Sequence, residues 1–92
     1  MVTIKKSKPI GKIVKGDKMK IDGKEYEVDV HSVMIDHGAT KEMSIDVFDP
    51  KAKDDEGDFQ IRYFNDQVEA TIGFFELKGI LYESKEIKKI EW

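Results

Sequence analysis

The sequence predicts an α+β, β-rich fold built on a small antiparallel sheet of five or six strands, partly barrel-like. An Asp-Gly turn lies between two alternating segments, two later segments repeat apolar residues with period two, and turn residues separate them. The 92 residues are too few for two hydrophobic cores, so residues 1–92 are expected to form a single domain.

The hairpin around Asp22-Gly23 is the clearest predicted element. A type I′ turn needs positive φ at both central residues, and Asp-Gly meets that requirement at little cost. The turn sets a register that pairs Ile21 with Lys24 and places opposite charges across the outer face. The same register gives the hairpin an apolar inner face, formed by Met19, Ile21, Tyr26 and Val28.

The apolar pattern extends the second strand of the hairpin and predicts two further strands. The second hairpin strand runs to Val30 and resumes at residues 33–35, and its alternation places His31 on the outer face. Residues 36–40 form a turn, residues 43–48 alternate as a strand, and Asp49-Pro50 ends it. Residues 51–58 are expected to be a solvated loop, and residues 59–63 alternate as the next strand.

Residues 66–78 allow two interpretations. As a strand, residues 68–75 are rich in β-forming side chains, and Lys78-Gly79 turns the chain back into residues 80–82. As a helix near 66–78, Asp66 and Glu69 form a capping box and Gly79 follows the last turn. Gly73 would cost that helix about 1 kcal/mol. The sequence favours the strand slightly, and both interpretations stay open.

Composition excludes several classes of protein. The chain has no cysteine, which removes disulfides and thiolate metal sites and favours a cytoplasmic location. No apolar run is long enough to span a bilayer, so no membrane partner is expected. The sequence contains neither a nucleophile elbow nor a phosphate-binding glycine loop, so we expect no enzyme activity. The abundance of lysine and glutamate is typical of thermophile proteins.

An acidic segment follows the third predicted strand and carries the leading functional hypothesis. Calcium binds six to eight oxygen ligands in irregular geometry, and crowded carboxylates relieve their repulsion by sharing a cation. The spacing does not match the EF-hand pattern, so weak calcium or other divalent-cation binding is expected. The expected ligands are Asp46, Asp49, Asp54, Asp55, Glu56 and Asp58.

A lysine-rich N-terminal segment carries the alternative hypothesis, that of a protein- or RNA-interaction module. Residues 1–24 contain eight lysines against two aspartates, whereas residues 25–58 contain three lysines against eleven acidic residues. Lysines neutralise phosphates, although this segment lacks the arginine and aromatic residues that nucleic-acid modules usually add. The candidate polyanion-binding residues are Lys5, Lys6, Lys8, Lys12 and Lys15.

Large apolar side chains are concentrated in residues 74–82. In a hairpin, alternation sends these side chains to both faces of the sheet, so the second face also needs a cover. A two-layer core supplies that cover within one chain. A homodimer through the apolar face at 74–82 is the alternative.

The run Ile13-Val14-Lys15-Gly16-Asp17-Lys18-Met19-Lys20-Ile21-Asp22-Gly23-Lys24-Glu25-Tyr26-Glu27-Val28 resembles the start of the N-terminal SH3-like barrel of translation initiation factor five A and elongation factor P. The segment from Asp36-His37-Gly38 to Asp49 is similar as well, so the resemblance covers about residues 12–50. It implies an SH3-like, barrel-like antiparallel sheet. The family's modified lysine precedes His-Gly, where this chain has Asp36, so the resemblance does not carry that function over.

Overall fold

The computed structural model describes residues 2–51 and 58–92. Within these residues the chain forms one eight-stranded sheet that curls into a half-barrel. The strands are β1 (Thr3–Lys5), β2 (Lys18–Ile21), β3 (Lys24–Asp36), β4 (Lys41–Phe48), β5 (Asp58–Phe64), β6 (Gly73–Lys78), β7 (Leu81–Lys85) and β8 (Lys89–Glu91). A short 3₁₀ helix at Ile10–Lys12 and a four-residue helix, α1 (Val68–Thr71), lie between strands.

The predicted β-rich fold is therefore confirmed in outline, with more strands than the sequence pattern indicated. The strand order across the sheet is β1-β8-β2-β3-β4-β5-β6-β7. Strands β2 to β7 pair antiparallel with their neighbours in sequence, whereas β1 pairs parallel with β8. Both chain ends thus lie together at the β2 side of the sheet, and β7 forms the opposite edge.

The β2–β3 hairpin matches its prediction pair by pair. Asp22 and Gly23 have φ values of 51° and 86°, as a type I′ turn requires. The pairs run from Ile21 with Lys24 to Lys18 with Glu27. The four residues predicted for the inner face, Met19, Ile21, Tyr26 and Val28, are all buried.

The prediction that His31 lies on the outer face is wrong, because β3 contains a bulge. Pairing with β4 shifts between Val28 and Val30, and an extra residue reverses the alternation beyond that point. His31 therefore lies on the inner face opposite Ile45. There its ring contacts the carbonyl oxygen of Ile13 through Nδ1 at 2.8 Å and the hydroxyl of Tyr63 through Nε2 at 2.7 Å.

Neither interpretation of residues 66–78 holds for the whole segment. Helix α1 ends after four residues, at Thr71, and strand β6 begins at Gly73. The expected capping box does not form, since Asp66 accepts a hydrogen bond from the Thr40 hydroxyl at 2.8 Å. The Thr71 hydroxyl accepts from the backbone N–H of Phe64 at 2.9 Å, which ties the end of α1 to β5.

The core fills the concave side of the curled sheet. Tyr26, Phe59 and Phe74 pack as a ring cluster with centroids 5.0–5.6 Å apart. Aliphatic side chains from the strands and from the 3₁₀ helix complete the buried set, which includes Ile10, Ile13, Ile45, Val47, Ile61 and Ile90. Because Ile90 belongs to β8 and Ile10 and Ile13 precede β2, the core fixes both chain ends against the sheet.

Candidate functional site

Four lysines and the indole of Trp92 line one surface depression of about 310 Å³. We call it the lysine depression. Two of its lysines come from the end of β1 and the residue after it, and two come from β2. The complete lining is Lys5, Lys6, Ser7, Lys18, Lys20, Glu25, Glu91 and Trp92.

The strand order explains why these lysines meet. Strand β8 lies between β1 and β2, so Lys5 and Lys20 flank Glu91 from opposite sides. Alternation in β2 buries Met19 and Ile21 and leaves Lys18 and Lys20 together on the outer face. Residues more than ten positions apart in sequence therefore share one surface.

Trp92 is held in place by hydrogen bonds to the N-terminal segment. Its backbone N–H donates to the Lys5 carbonyl at 3.1 Å, and its carbonyl accepts from the Ser7 N–H at 2.8 Å. The indole Nε1–H donates to the Lys8 carbonyl at 2.8 Å. The ring also packs against the core. An immobilised aromatic group thus forms one wall of the lysine depression.

The four lysines differ in whether an acidic side chain already pairs with their ammonium group. Lys18 Nζ lies 2.5 Å from a carboxylate oxygen of Glu27, and this hydrogen bond raises the pKa of Lys18. Among the residues that the structure describes, Lys5, Lys6 and Lys20 form no ion pair within 4.0 Å. These three ammonium groups are the ones available to an anion.

Only part of the predicted polyanion-binding set lies at this depression. Lys5 and Lys6 line it. Lys8 lies 2.6 Å from the Asp17 carboxylate, which lowers the pKa of Asp17. Lys12 lies in the 3₁₀ helix and Lys15 in the following turn, and both are exposed outside the depression.

Sequence reasoning missed Trp92 as a member of this site. It counted Lys18 and Lys20 among the eight N-terminal lysines that can neutralise phosphates, but the candidate set of five residues did not include them. Trp92 lies 84 residues from Lys8, whose carbonyl it contacts, and no local pattern signals that pairing. The aromatic group that the lysine-rich segment lacks in sequence is therefore supplied by the other end of the chain.

Trp92 also lines a larger cavity of about 690 Å³. Ile4, Pro9 and Ile10 give it apolar walls, and the residues around α1 close it with Asp66 and Glu69 among them. Lys6 and Trp92 line both cavities. The mixed charge of the larger cavity makes it a poorer site for an anion than the lysine depression.

Within the described part of the chain, the predicted calcium ligands lie in two different settings. Asp46 and Asp58 line a depression of about 320 Å³ together with Asp29, and Asp46 accepts a hydrogen bond from Gln60 at 2.8 Å. Asp49 instead pairs with Lys24 at 2.9 Å, and this hydrogen bond lowers the pKa of Asp49. Asp54, Asp55 and Glu56 lie outside the described residues.

In residues 2–51 and 58–92, no group of three or more histidine, aspartate or glutamate side chains is arranged to hold a metal ion. The two histidines make different contacts and do not share a site. His31 bonds inside the half-barrel, whereas the His37 ring packs beside Phe64 at a centroid distance of 6.3 Å. The described side chains alone thus form no preorganised cation site.

The apolar segment at 74–82 is divided between the two faces of the sheet. Phe74 belongs to the core, and Phe75 on the outer face lies under the guanidinium of Arg62 at 4.3 Å. Arg62 is fixed by donating from Nε to Gln60 at 2.6 Å, and it also lies 5.4 Å from the Tyr82 ring. The only arginine of the chain therefore packs on two aromatic rings of this segment, whereas Ile80 and Leu81 stay exposed.

The fold and this site define a small β-rich domain whose chain ends build a lysine-lined depression. In comparisons with protein-family models, curated proteins and solved structures, no match to the chain was found. The resemblance to the barrel of the translation factors stays a prediction. Among the described residues, no helix has the length and apolar character needed to cross a membrane.

Proposed function

We propose that this chain is a small non-enzymatic binding module that contacts the phosphate backbone of single-stranded RNA through the lysine depression. The observation that supports the proposal most directly is the convergence of four lysines on one depression beside Trp92. Sequence order separates these residues, and the topology of β1, β8 and β2 gathers them.

Phosphate neutralisation is the chemistry that these side chains offer. Lys5, Lys6 and Lys20 carry ammonium groups without a described ion-pair partner, so each can replace a counterion on a phosphate. Lysine presents a point charge rather than a bidentate fork, which favours contact with the backbone over reading of bases. Trp92 adds a ring on which a base can stack without sequence preference.

Trp92 is the single tryptophan of the chain, so its fluorescence reports directly on the depression. Titration with oligouridylate at low salt is expected to quench it in a saturable manner, with a dissociation constant of roughly 0.1 mM. Three phosphate contacts predict a loss of affinity of about twentyfold between 50 and 200 mM salt, from a slope of about −0.7 per contact for single strands.

Two double variants that remove the same charge test whether RNA binding depends on the lysine depression or only on net positive charge. The Lys5→Gln, Lys6→Gln variant is expected to weaken binding about tenfold, since each phosphate contact contributes roughly 0.5–1 kcal/mol. The control Lys12→Gln, Lys15→Gln removes the same charge from exposed lysines outside the depression and should weaken binding less than threefold. Equal losses in both variants would show that only net charge matters.

Weak divalent-cation binding is a second candidate function. The observation that favours it is the depression shared by Asp29, Asp46 and Asp58, which lies where the acidic segment 49–58 leaves and rejoins the sheet. Calcium at millimolar concentration is expected to shift the amide resonances of Asp46 and Asp58 in a saturable manner. Linear, unsaturable shifts across this segment would remove the idea.

A further inference from the structure

Strand β7 forms a free edge of the sheet. Within the described residues it pairs with β6 alone, and all five of its residues are exposed. Pairing with β6 runs without a register shift, and the strand contains no proline. Bulges and prolines are devices that keep edge strands from pairing with other chains, and β7 has neither of them.

The β6–β7 turn determines which backbone groups of β7 face outward. Gly79 has a φ of 63° and Ile80 has no positive φ, which is the pattern of a type II′ turn closed by Lys78 and Leu81. The closing pair is hydrogen-bonded, so alternation directs the N–H and C=O of Leu81, Glu83 and Lys85 toward β6. The same groups of Tyr82 and Ser84 point away from the sheet.

We propose that β7 pairs antiparallel with β7 of a second copy of this chain, centred on Ser84. In that register the two Ser84 residues exchange two backbone hydrogen bonds, because both present outward-facing groups. Glu83 of each copy lies directly opposite the partner's Lys85. Two symmetric ion pairs therefore flank the two-fold axis, and Tyr82 lies opposite the partner's Glu86.

Charge selects this register over its neighbours. A pairing centred on Glu83 or on Lys85 places like charges directly opposite each other, which destabilises cross-strand pairs. A pairing centred on Tyr82 sets Glu83 against the partner's Leu81 and Lys85 against the partner's Gly79. Neither the charge of Glu83 nor that of Lys85 is then matched. The Ser84 register alone among these four matches every charge of the strand with its opposite.

Glu83 also lacks a partner within its own chain. It lies directly opposite Glu76 of β6, a like-charge pair, and in the described residues it forms no ion pair. Lys85 bonds to Glu76 at 3.0 Å and so leaves Glu83 unmatched. The partner's Lys85 would supply the positive charge that Glu83 lacks. Leu81 and Ile80, which are 71% and 94% exposed, lie at the end of the same edge.

A charge-swap experiment tests this pairing without RNA and so independently of the proposed function. Sedimentation equilibrium of the full chain over a concentration series is expected to show a weak, reversible monomer–dimer equilibrium. Glu83→Lys sets two lysines of one chain against two of the other, and Lys85→Glu does the same with glutamates, so each variant alone should weaken association at least tenfold. An equimolar mixture restores both ion pairs and should associate at least as strongly as the wild type.

Two further variants complete the test. Glu69→Lys, on exposed α1, makes the same charge change away from the edge and should leave the equilibrium unchanged. Ser84→Pro removes an outward N–H without breaking the β6 ladder and should abolish the dimer. A wild type that stays monomeric at every concentration overturns the proposal. So does a mixture of the two charge variants that associates no better than either alone.

Discussion

Asp22 joins two parts of the sheet through its backbone and its side chain. Its φ of 51° lies in the left-handed region, which aspartate tolerates better than most residues. Its carboxylate accepts hydrogen bonds from the N–H groups of Lys88 and Lys89 at 2.9 and 2.8 Å. The residue that turns the β2–β3 hairpin therefore also holds β8 beside β2.

Replacing this carboxylate should cost more than an exposed position suggests. Asp22→Ala is expected to lower the free energy of unfolding by about 2–3 kcal/mol, because it strains the turn and leaves two N–H groups without an acceptor. Asp22→Asn keeps an acceptor and a residue suited to positive φ, so it should lose less than about 1 kcal/mol. Urea unfolding measures both values, and equal losses would contradict the role assigned to the carboxylate.

His31 and Tyr63 form the polar contact of the inner face. The Tyr63 hydroxyl is 2.7 Å from His31 Nε2, and Tyr63 is only 3% exposed. His31 Nδ1 faces the Ile13 carbonyl, so Nδ1–H donates there and Nε2 accepts from the tyrosine. Tyr63→Phe leaves Nε2 without a donor and should lower the free energy of unfolding by about 1–2 kcal/mol.

The same tyrosine should produce a stability loss at alkaline pH. Burial raises the pKa of Tyr63 to about 12, from 10.0 for an unperturbed tyrosine. Because the folded state keeps this proton longer, its contribution is complete below pH 10 and is lost as pH rises toward 12. Between these values the wild type should therefore lose more stability than Tyr63→Phe. Urea unfolding at a series of pH values gives the free energy of unfolding of both proteins. If it falls equally for both between pH 10 and 12, this assignment is contradicted.

At the scale of elements, those that depend on neighbouring residues were predictable, whereas those that depend on residues far apart in the sequence were not. The β2–β3 hairpin depends on a local turn and local alternation, so its register was predictable. The bulge between Val28 and Val30 has no composition signal, and it displaced His31 to the other face. Strands β1 and β8 have three residues each and exist through pairing across the whole chain, which periodicity cannot detect.

Ion pairs at several places in the described structure should make the free energy of unfolding sensitive to acid. Hydrogen bonds with Lys24 and Lys85 lower the pKa values of Asp49 and Glu76, and Lys8 lowers that of Asp17. Groups with lowered pKa values stabilise the fold above about pH 4, the ordinary range of carboxylates. Their contribution is lost as pH falls through the lowered values.

Removing one of these carboxylates should make the free energy of unfolding depend less steeply on pH in the acid range. Asp49→Asn is expected to lose less stability than the wild type between about pH 5 and pH 2, because one titrating group is gone. Glu69→Gln is the matched control, since Glu69 forms no ion pair in the described structure, and its curve should follow that of the wild type. An Asp49→Asn curve with an unchanged slope would count against the Lys24 pairing.

At the scale of the whole molecule, the fold brings together charged residues that lie far apart in the sequence. Counting residues predicted a basic N-terminal segment and an acidic middle segment. It did not predict that Lys5 and Lys6 would meet Lys18, Lys20 and Trp92, because that juxtaposition depends on β8 lying between β1 and β2. Among the described acidic residues, Asp49 pairs with Lys24, whereas Asp46 accepts a hydrogen bond from Gln60.

The most direct test of the RNA-binding proposal is amide-shift mapping of one labelled sample with oligouridylate at low salt and then, separately, with calcium. The RNA is expected to shift residues 5–7, residues 18–20 and the indole N–H of Trp92, with saturation that weakens steeply as salt rises. Calcium is expected to act only around Asp46 and Asp58. RNA shifts centred elsewhere, or none that saturate at low salt, would contradict the account.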